Sequence, residues 1–364
     1  MTDVGTKTES HPEGRDRAGF NLWLNLILST LVVLVVGAGA YFGYAIYRDR
    51  ESNFEASAAG RLVKMLQTQV RKNPNDVVIR VRLAEALSGG GKYSEATSQL
   101  NEALKIDPKH VGAYLDLGLV AVAANKAASA EPYFKKVVEL TDSDQYKGVD
   151  PGRETALYHL GLLALDQKQY ADAAGFFKAA LVIRKDASDT YYYLAKALQG
   201  LGETDGAIQE LEIGVQFDPG FAEAHYLLGE LYKQKKDDIN ASYQFVKAAE
   251  LAPEADPPQQ ALAAFGPASA WVEKARASLA AGNPTEALNQ ILVARNLDAK
   301  SVEAAKLHAE MLVQAAKLKD ALDVYSQAAV LDPKNTEIKA QISALEPQVE
   351  ALLKAEAAKK KSKK

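Results

Sequence analysis

Apolar positions along the chain fall into two regimes. The first is a continuous run. Between Arg17 and Arg48 lie 30 consecutive residues without a charge, centred on residues 22–36 and continuing through 41–47. About 20 apolar residues in a helix cross a bilayer core, so this run predicts a single transmembrane helix over 20–47. Trp23 near one end and Tyr41, Tyr44 and Tyr47 near the other stand where interfacial aromatic residues belong. Gly39 and Gly43 form a G-x-x-x-G pair, a spacing that lets two helices approach closely and offers a face for a homodimer. A cleavable signal peptide is the competing reading. Lys7, Arg15 and Arg17 would be its basic region, residues 22–36 its apolar region and Ala38-Gly39-Ala40 its cleavage site. Residues 1–19, polar and rich in mixed charge, read as a disordered tail.

In the second regime apolar residues recur at helical spacing. Phe54, Leu62, Met65, Leu66 and Val70 predict a juxtamembrane helix within 48–76 that carries the anchor's helix onward. Beyond it the pattern repeats. The pairs Leu83-Ala84, Leu117-Gly118, Leu160-Gly161, Leu194-Ala195 and Leu228-Gly229 are separated by 34, 43, 34 and 34 residues. A second small residue follows each at one fixed offset: Ala96, Ala130, Ala173, Ala207 and Ala241. A large apolar residue comes one turn later: Leu100, Phe134, Phe177, Leu211 and Phe245. Asp107-Pro108, Asp218-Pro219, Ala252-Pro253 and Asp332-Pro333 close several units.

This pattern resembles the tetratricopeptide repeat, a helix–turn–helix unit of about 34 residues. The resemblance implies an all-α, right-handed α-solenoid preceded by the transmembrane helix. Five good repeats span 77–253, with an insertion at 141–153. A linker follows at 254–267. Two degenerate repeats span 268–335, anchored on Ala287 with Ala294 and on Ala321 with Ala328. Lys274 and His308 there replace the apolar residue before the small one. Residues 336–364 read as a capping helix and a basic tail. The physics is consistent with this layout. Two short helices cannot bury their apolar stripes alone. Small residues let them cross closely, and stacked units share one core.

Composition narrows the chemistry. There is no cysteine, which excludes thiol catalysis, iron–sulfur ligation and zinc ribbons. A formal net charge of -4 gives no reason to expect nucleic acid. The five histidines form no ligand pair, so no metal and no cofactor is expected. Gly89-Gly90-Gly91-Lys92 lacks the outer residues of a phosphate loop and sits where a turn between two helices needs glycine. Once anchor and repeats are assigned, no segment remains for a catalytic domain, so the chain is not expected to be an enzyme.

The resemblance also places a binding surface. In such solenoids the first helix of each unit lines the concave groove. Its fifth position holds Val81, Leu115, Tyr158, Tyr192, Tyr226, Val272 and Lys306. The three tyrosines should form a ladder, joined by Leu119, Val122, Leu162, Leu165, Lys196, Glu230 and Lys233. An apolar patch rimmed by charge suits a protein or peptide partner. The expected function is a membrane-anchored, non-enzymatic scaffold or assembly factor in a bacterial envelope. Its N-terminal tail would be cytoplasmic and its repeats extracytoplasmic. The alternative is a cytoplasm-facing membrane receptor or regulator that recruits a soluble enzyme. Flanking charges do not choose between them: Lys7, Arg15 and Arg17 precede the span, and Arg48, Arg50, Arg61 and Lys64 follow it.

Overall fold

The computed structural model describes residues 53–143 and 148–361, together with residues 35, 39, 41–43 and 48. The expected span therefore lies largely outside the described residues, as do residues 1–19. Gly39 and Gly43 are helical and exposed, and a Cβ at either would meet nothing within 4 Å. Among the described residues no helix is long and apolar enough to cross a membrane.

All regular structure among the described residues is helical. The chain divides into two compact units at Ala130 and Glu131. The first holds a leading helix, Ala58–Lys72, then repeat 1 (Val77–Gly89 and Tyr93–Ile106) and the first helix of repeat 2, Val111–Ala123. The second begins with that repeat's second helix, Glu131–Leu140. Repeat 3 follows (Pro151–Asp166 and Tyr170–Ile183), then repeat 4 (Ser188–Gly200 and Thr204–Phe217) and repeat 5 (Ala222–Gln234 and Asp238–Leu251). An extra helix, Asp256–Phe265, precedes repeat 6 (Ala268–Ala280 and Pro284–Leu297) and repeat 7 (Val302–Gln314 and Leu318–Leu331). The last helix is Thr336–Lys361.

The small residues that set the period are the crossing points of the helices. Ala84, Ala96, Ala173, Ala195, Ala207, Ala241, Ala275, Ala287, Ala309 and Ala321 are all 0% exposed. At these places a larger side chain would force the helices apart.

Each first helix ends in one local structure. Gly91, Asn125, Lys168, Gly202, Lys236, Gly282 and Ala316 have φ between +56° and +79°. Each lies seven residues after the small residue of its first helix. The residue after it donates its N–H back across the turn, as from Lys92 to Leu87 O at 2.8 Å and from Lys317 to Leu312 O at 2.9 Å. This is a Schellman closure, whose left-handed residue suits glycine best. The glycine cluster at 89–91 is such a closure.

Two expectations are corrected. The anchor's helix does not run on through 48–76. Residues 53–56 are helical, but Ser57 is extended (φ -69°, ψ 166°) and starts a new helix, its hydroxyl accepting from Gly60 N at 3.0 Å. The 254–267 segment is not a linker. Pro257 and Pro258 occupy the first turn of a helix, where their missing N–H groups cost nothing. Phe265 at its end is buried, and Gly266 (φ 74°) turns the chain. Repeats 6 and 7 are degenerate in sequence but fully packed: Ile291, Ala294, Tyr325 and Ala328 are all buried.

The extra helix changes the stacking. Elsewhere in the second unit, the second helix of one repeat packs on the first helix of the next. At this junction the Asp238–Leu251 helix packs on the second helix of repeat 6 and on the extra helix. Asn296 Nδ2 fastens the contact, donating to Ile239 O at 2.9 Å and to Ser242 Oγ at 3.0 Å. The last helix closes repeat 7 with Ile338 and Leu345, both buried in one cluster with Ala309, Leu312 and Tyr325.

Candidate functional site

The first helix of repeat 3 is held at its start. Asp150 Oδ1 accepts from Arg153 N at 2.7 Å, and Pro151 fits the first helical position. Arg153 is buried. Its guanidinium donates to Val138 O at 2.7 Å and pairs with Asp142 at 2.9 Å, fixing the base of the 141–153 insertion. Residues 144–147 of that insertion lie outside the described residues. Arg184 ties repeat 3 to repeat 4, pairing with buried Glu154 at 3.2 Å and with Asp189 at 3.5 Å. Burial pushes the Glu154 carboxyl up, and the neighbouring Arg184 charge opposes that shift.

The tyrosines do not form the expected ladder. Tyr158 meets Tyr193 edge-on at 5.9 Å. Tyr192 packs on Phe221 at 5.1 Å and on Tyr193 at 5.2 Å. Tyr226 packs on Phe245 at 5.7 Å, and its hydroxyl donates to Glu230 at 2.9 Å. The ring joining repeats 3 and 4 is thus Tyr193, one residue beyond the tyrosine that the repeat spacing selects. Burial raises the phenol pKa of Tyr158, Tyr192 and Tyr226. All three therefore stay neutral hydrogen-bonding groups at physiological pH.

Tyr193 is part of a built wall. It stacks on Phe177 at 6.0 Å and 20°, and Phe177 lies directly over Gly161. In front of the wall is an open cleft of about 640 Å³. Leu162, Leu165 and Tyr193 line it, with Asp166, Tyr170 and Lys196 at its edges. The Lys196 ammonium lies 5.4 Å from the Tyr192 ring centre and 5.9 Å from that of Tyr193. Among the described residues it pairs with no carboxylate. Of the expected groove residues, then, Leu162, Leu165 and Lys196 meet in one cleft.

The others are elsewhere. Glu230 is engaged by Tyr226. Lys233 pairs with Asp238 at 2.7 Å and lies 4.1 Å over the Phe265 ring. Leu115, Leu119 and Val122 are half-buried on the Val111–Ala123 helix of the first unit. The sequence reading missed Tyr193, Asp166 and Tyr170. The run Tyr191-Tyr192-Tyr193 held the only signal: three successive rings must face three directions on a helix.

Three of the five histidines are engaged by the fold. His110 Nδ1 caps its helix, accepting from Ala113 N at 3.0 Å. His159 stacks on Phe134 at 5.0 Å. His308 accepts from Arg295 at 2.8 Å. Among the described residues no group of three His, Asp or Glu side chains could hold a metal ion.

Paired helices with one recurring crossing, turn and closure define the repeat. Residues 81–145, 164–231 and 222–254 match tetratricopeptide-repeat models. Those stretches carry tetratricopeptide repeats. Over 164 residues it is 24% identical to anaphase-promoting complex subunit 3 of Schizosaccharomyces pombe, covering 45% of this chain and 23% of that protein. The chain thus matches less than a quarter of that relative's length. Solved structures similar to it include YrrB, described as a TPR protein with an unusual peptide-binding site (21% identity, TM-score 0.47, 54% of this chain and 96% of that one). MamA of Desulfovibrio magneticus RS-1 is another (23% identity, TM-score 0.43, 50% and 97%). Yeast Tom70 is a third (21% identity, TM-score 0.40, 84% and 62%). Tetratricopeptide repeats are protein–protein interaction scaffolds.

Proposed function

We propose that this chain is a membrane-anchored, non-enzymatic scaffold whose repeats lie on the extracytoplasmic side. The cleft between repeats 3 and 4 holds a segment of a partner protein. The observation that carries the reading is the pairing of an apolar floor with an unneutralised cation. Leu162 and Leu165 lie open beside Tyr193, and among the described residues the Lys196 ammonium above Tyr192 and Tyr193 pairs with no carboxylate. An apolar side chain on that floor would lose water-exposed area, at roughly 25 cal/mol per Å². An acidic group beside it would meet Lys196. Tyrosine suits such a surface because a large ring is fixed at little entropic cost. The anchor rests on the uncharged run between Arg17 and Arg48.

Orientation is the part most directly tested. The chain has no cysteine, and Val149 is 70% exposed. A Val149→Cys variant labelled in intact cells by a membrane-impermeant maleimide supports the extracytoplasmic reading. Labelling only after lysis puts the repeats in the cytoplasm and favours recruitment of a soluble enzyme instead.

A further inference from the structure

The leading helix, Ala58–Lys72, has apolar residues on two sides, and only one side is used by the fold. Val63 and Leu66 are buried and hold it on the first helix of repeat 1. Leu62 and Met65 face outward, 43% and 51% exposed. At 3.6 residues per turn Ala58, Leu62, Met65 and Gln69 share one strip, with Arg61 and Lys72 along its edge.

The charge of the helix is one-sided. It carries Arg61, Lys64, Arg71 and Lys72 and no acidic residue. Lys64 pairs with Glu55 at 3.2 Å. Among the described residues Arg61, Arg71 and Lys72 pair with no carboxylate; Arg61 donates to Ala56 O at 2.7 Å and Arg71 to Gln67 O at 3.4 Å. Asp49 and Glu51, ahead of the helix, are balanced by Arg48 and Arg50.

The chain's own connections say what lies opposite the strip. Ten residues separate Ala58 from Tyr47, where the uncharged run ends. Fully extended they reach about 35 Å, and the helical turn at 53–56 shortens that reach. Phe54 lies against Gly90, and the Lys92 ammonium is 5.0 Å from its ring centre, so the lead-in is held on the turn of repeat 1. A helix tethered this closely to a bilayer meets its surface at roughly millimolar effective concentration, where a weak affinity suffices. Anionic headgroups attract each nearby Lys or Arg, and exposed apolar side chains enter the interface beneath them.

We propose that Ala58–Lys72 lies along the membrane surface, with Arg61 and Lys72 on anionic lipid headgroups and Leu62 and Met65 in the boundary between headgroups and acyl chains. Repeat 1 is thereby held close to the bilayer. The proposal rests on the anchor proposed above, and not on which side the repeats lie or what their cleft binds.

The natural absence of cysteine gives a clean reporter. Gln69→Cys, on the strip but leaving Leu62 and Met65 intact, carries a nitrobenzoxadiazole label in the full-length chain reconstituted into vesicles with spin-labelled phosphatidylcholine as quencher. With an equal part of phosphatidylglycerol, quenching should be roughly threefold greater than in phosphatidylcholine alone, and high salt should abolish the difference. Arg61→Gln with Lys72→Gln should abolish it too, with circular dichroism and Tm unchanged. Equal quenching in the two vesicles, or quenching indifferent to the double substitution in the folded chain, overturns the proposal. A blue-shifted label that lipid does not quench means that a protein, a second copy included, covers the strip, and overturns it as well. Alkaline carbonate separates this proposal from the anchor. A chain stripped from the vesicles has no span, and both fall; a chain that stays in place with its label unquenched overturns this proposal alone.

Discussion

Phe177 covers Gly161 so closely that a Cβ at Gly161 would stand 2.6 Å from the ring. The same pairing recurs in repeat 5, where a Cβ at Gly229 would stand 2.6 Å from Phe245. Where the ring is replaced by a slimmer side chain, alanine takes the crossing: Ala84 with Leu100, Ala195 with Leu211, Ala275 with Ile291. In these repeats the two positions divide one volume between them, whereas repeat 7 buries both Ala309 and the ring of Tyr325.

Adding one methyl at Gly161 must therefore move the ring. Gly161→Ala should destabilise the second unit by about 1–3 kcal/mol. Because Tyr193 rests on Phe177, it should also disturb the cleft. Gly161→Ala with Phe177→Leu recreates the Ala195–Leu211 pair and should recover much of the loss. Urea unfolding followed by circular dichroism checks both; additive losses in the double variant would contradict shared volume.

The left-handed closures give a second prediction. Three of the seven are filled by residues with a Cβ and no amide, Lys168, Lys236 and Ala316, at φ 56–60°. Such residues are strained there by about 1–2 kcal/mol. Ala316→Gly should stabilise the fold by roughly 0.5–1 kcal/mol, the gain being reduced by the greater freedom of the unfolded glycine chain. Gly282→Ala, at φ 77°, should destabilise it. Thermal unfolding of the two variants should move in opposite directions.

Asp116 and His308 should respond oppositely to acid. Asp116 in the first unit has its pKa raised to about 6, chiefly by burial and then by Glu85. A folded-state pKa above the unfolded value means the protonated form is favoured by folding. That stabilisation is full below about 4 and is lost as pH rises through about 6. His308 in the second unit has its pKa lowered to about 4, by burial and then by Arg295, with Asp320 opposing. Its stabilisation is full above about 6.5 and is lost as pH falls toward about 4. Asp116→Asn should therefore gain roughly 1–2 kcal/mol at pH 7.5, about a third of that at pH 4.5 and almost nothing near pH 3. Hydrogen exchange resolved by peptide can follow each unit separately.

The period was plain in the sequence because packing at a crossing tolerates few side chains. Ala96, Phe177 and their equivalents announce themselves at every turn of the repeat. Ring directions were not legible. Tyr192 and Tyr193 share one chemistry, and only the rotation between neighbouring helices decides which faces Tyr158. Asp256-Pro257-Pro258 reads as a breaker until the prolines are seen in a first turn, where they start a helix. Ser57 reads as one more helical residue until its hydroxyl is seen capping Gly60. The hold of Asn296 on Ile239 and Ser242 belongs to a junction between two second helices, which no local pattern encodes.

The central claim is that the cleft of repeats 3 and 4 holds a partner segment. Gln199 lines that cleft, whereas Val182 is 62% exposed on the second helix of repeat 3 and is not among the cleft's lining residues. A photo-crosslinking residue placed at each position, activated in intact cells, tests the claim directly. The account predicts a discrete adduct from Gln199, none from Val182, and loss of the Gln199 adduct in Lys196→Glu and Leu165→Ser backgrounds that remain folded. Equal adducts from both positions, or a Gln199 adduct indifferent to those two substitutions, would contradict it.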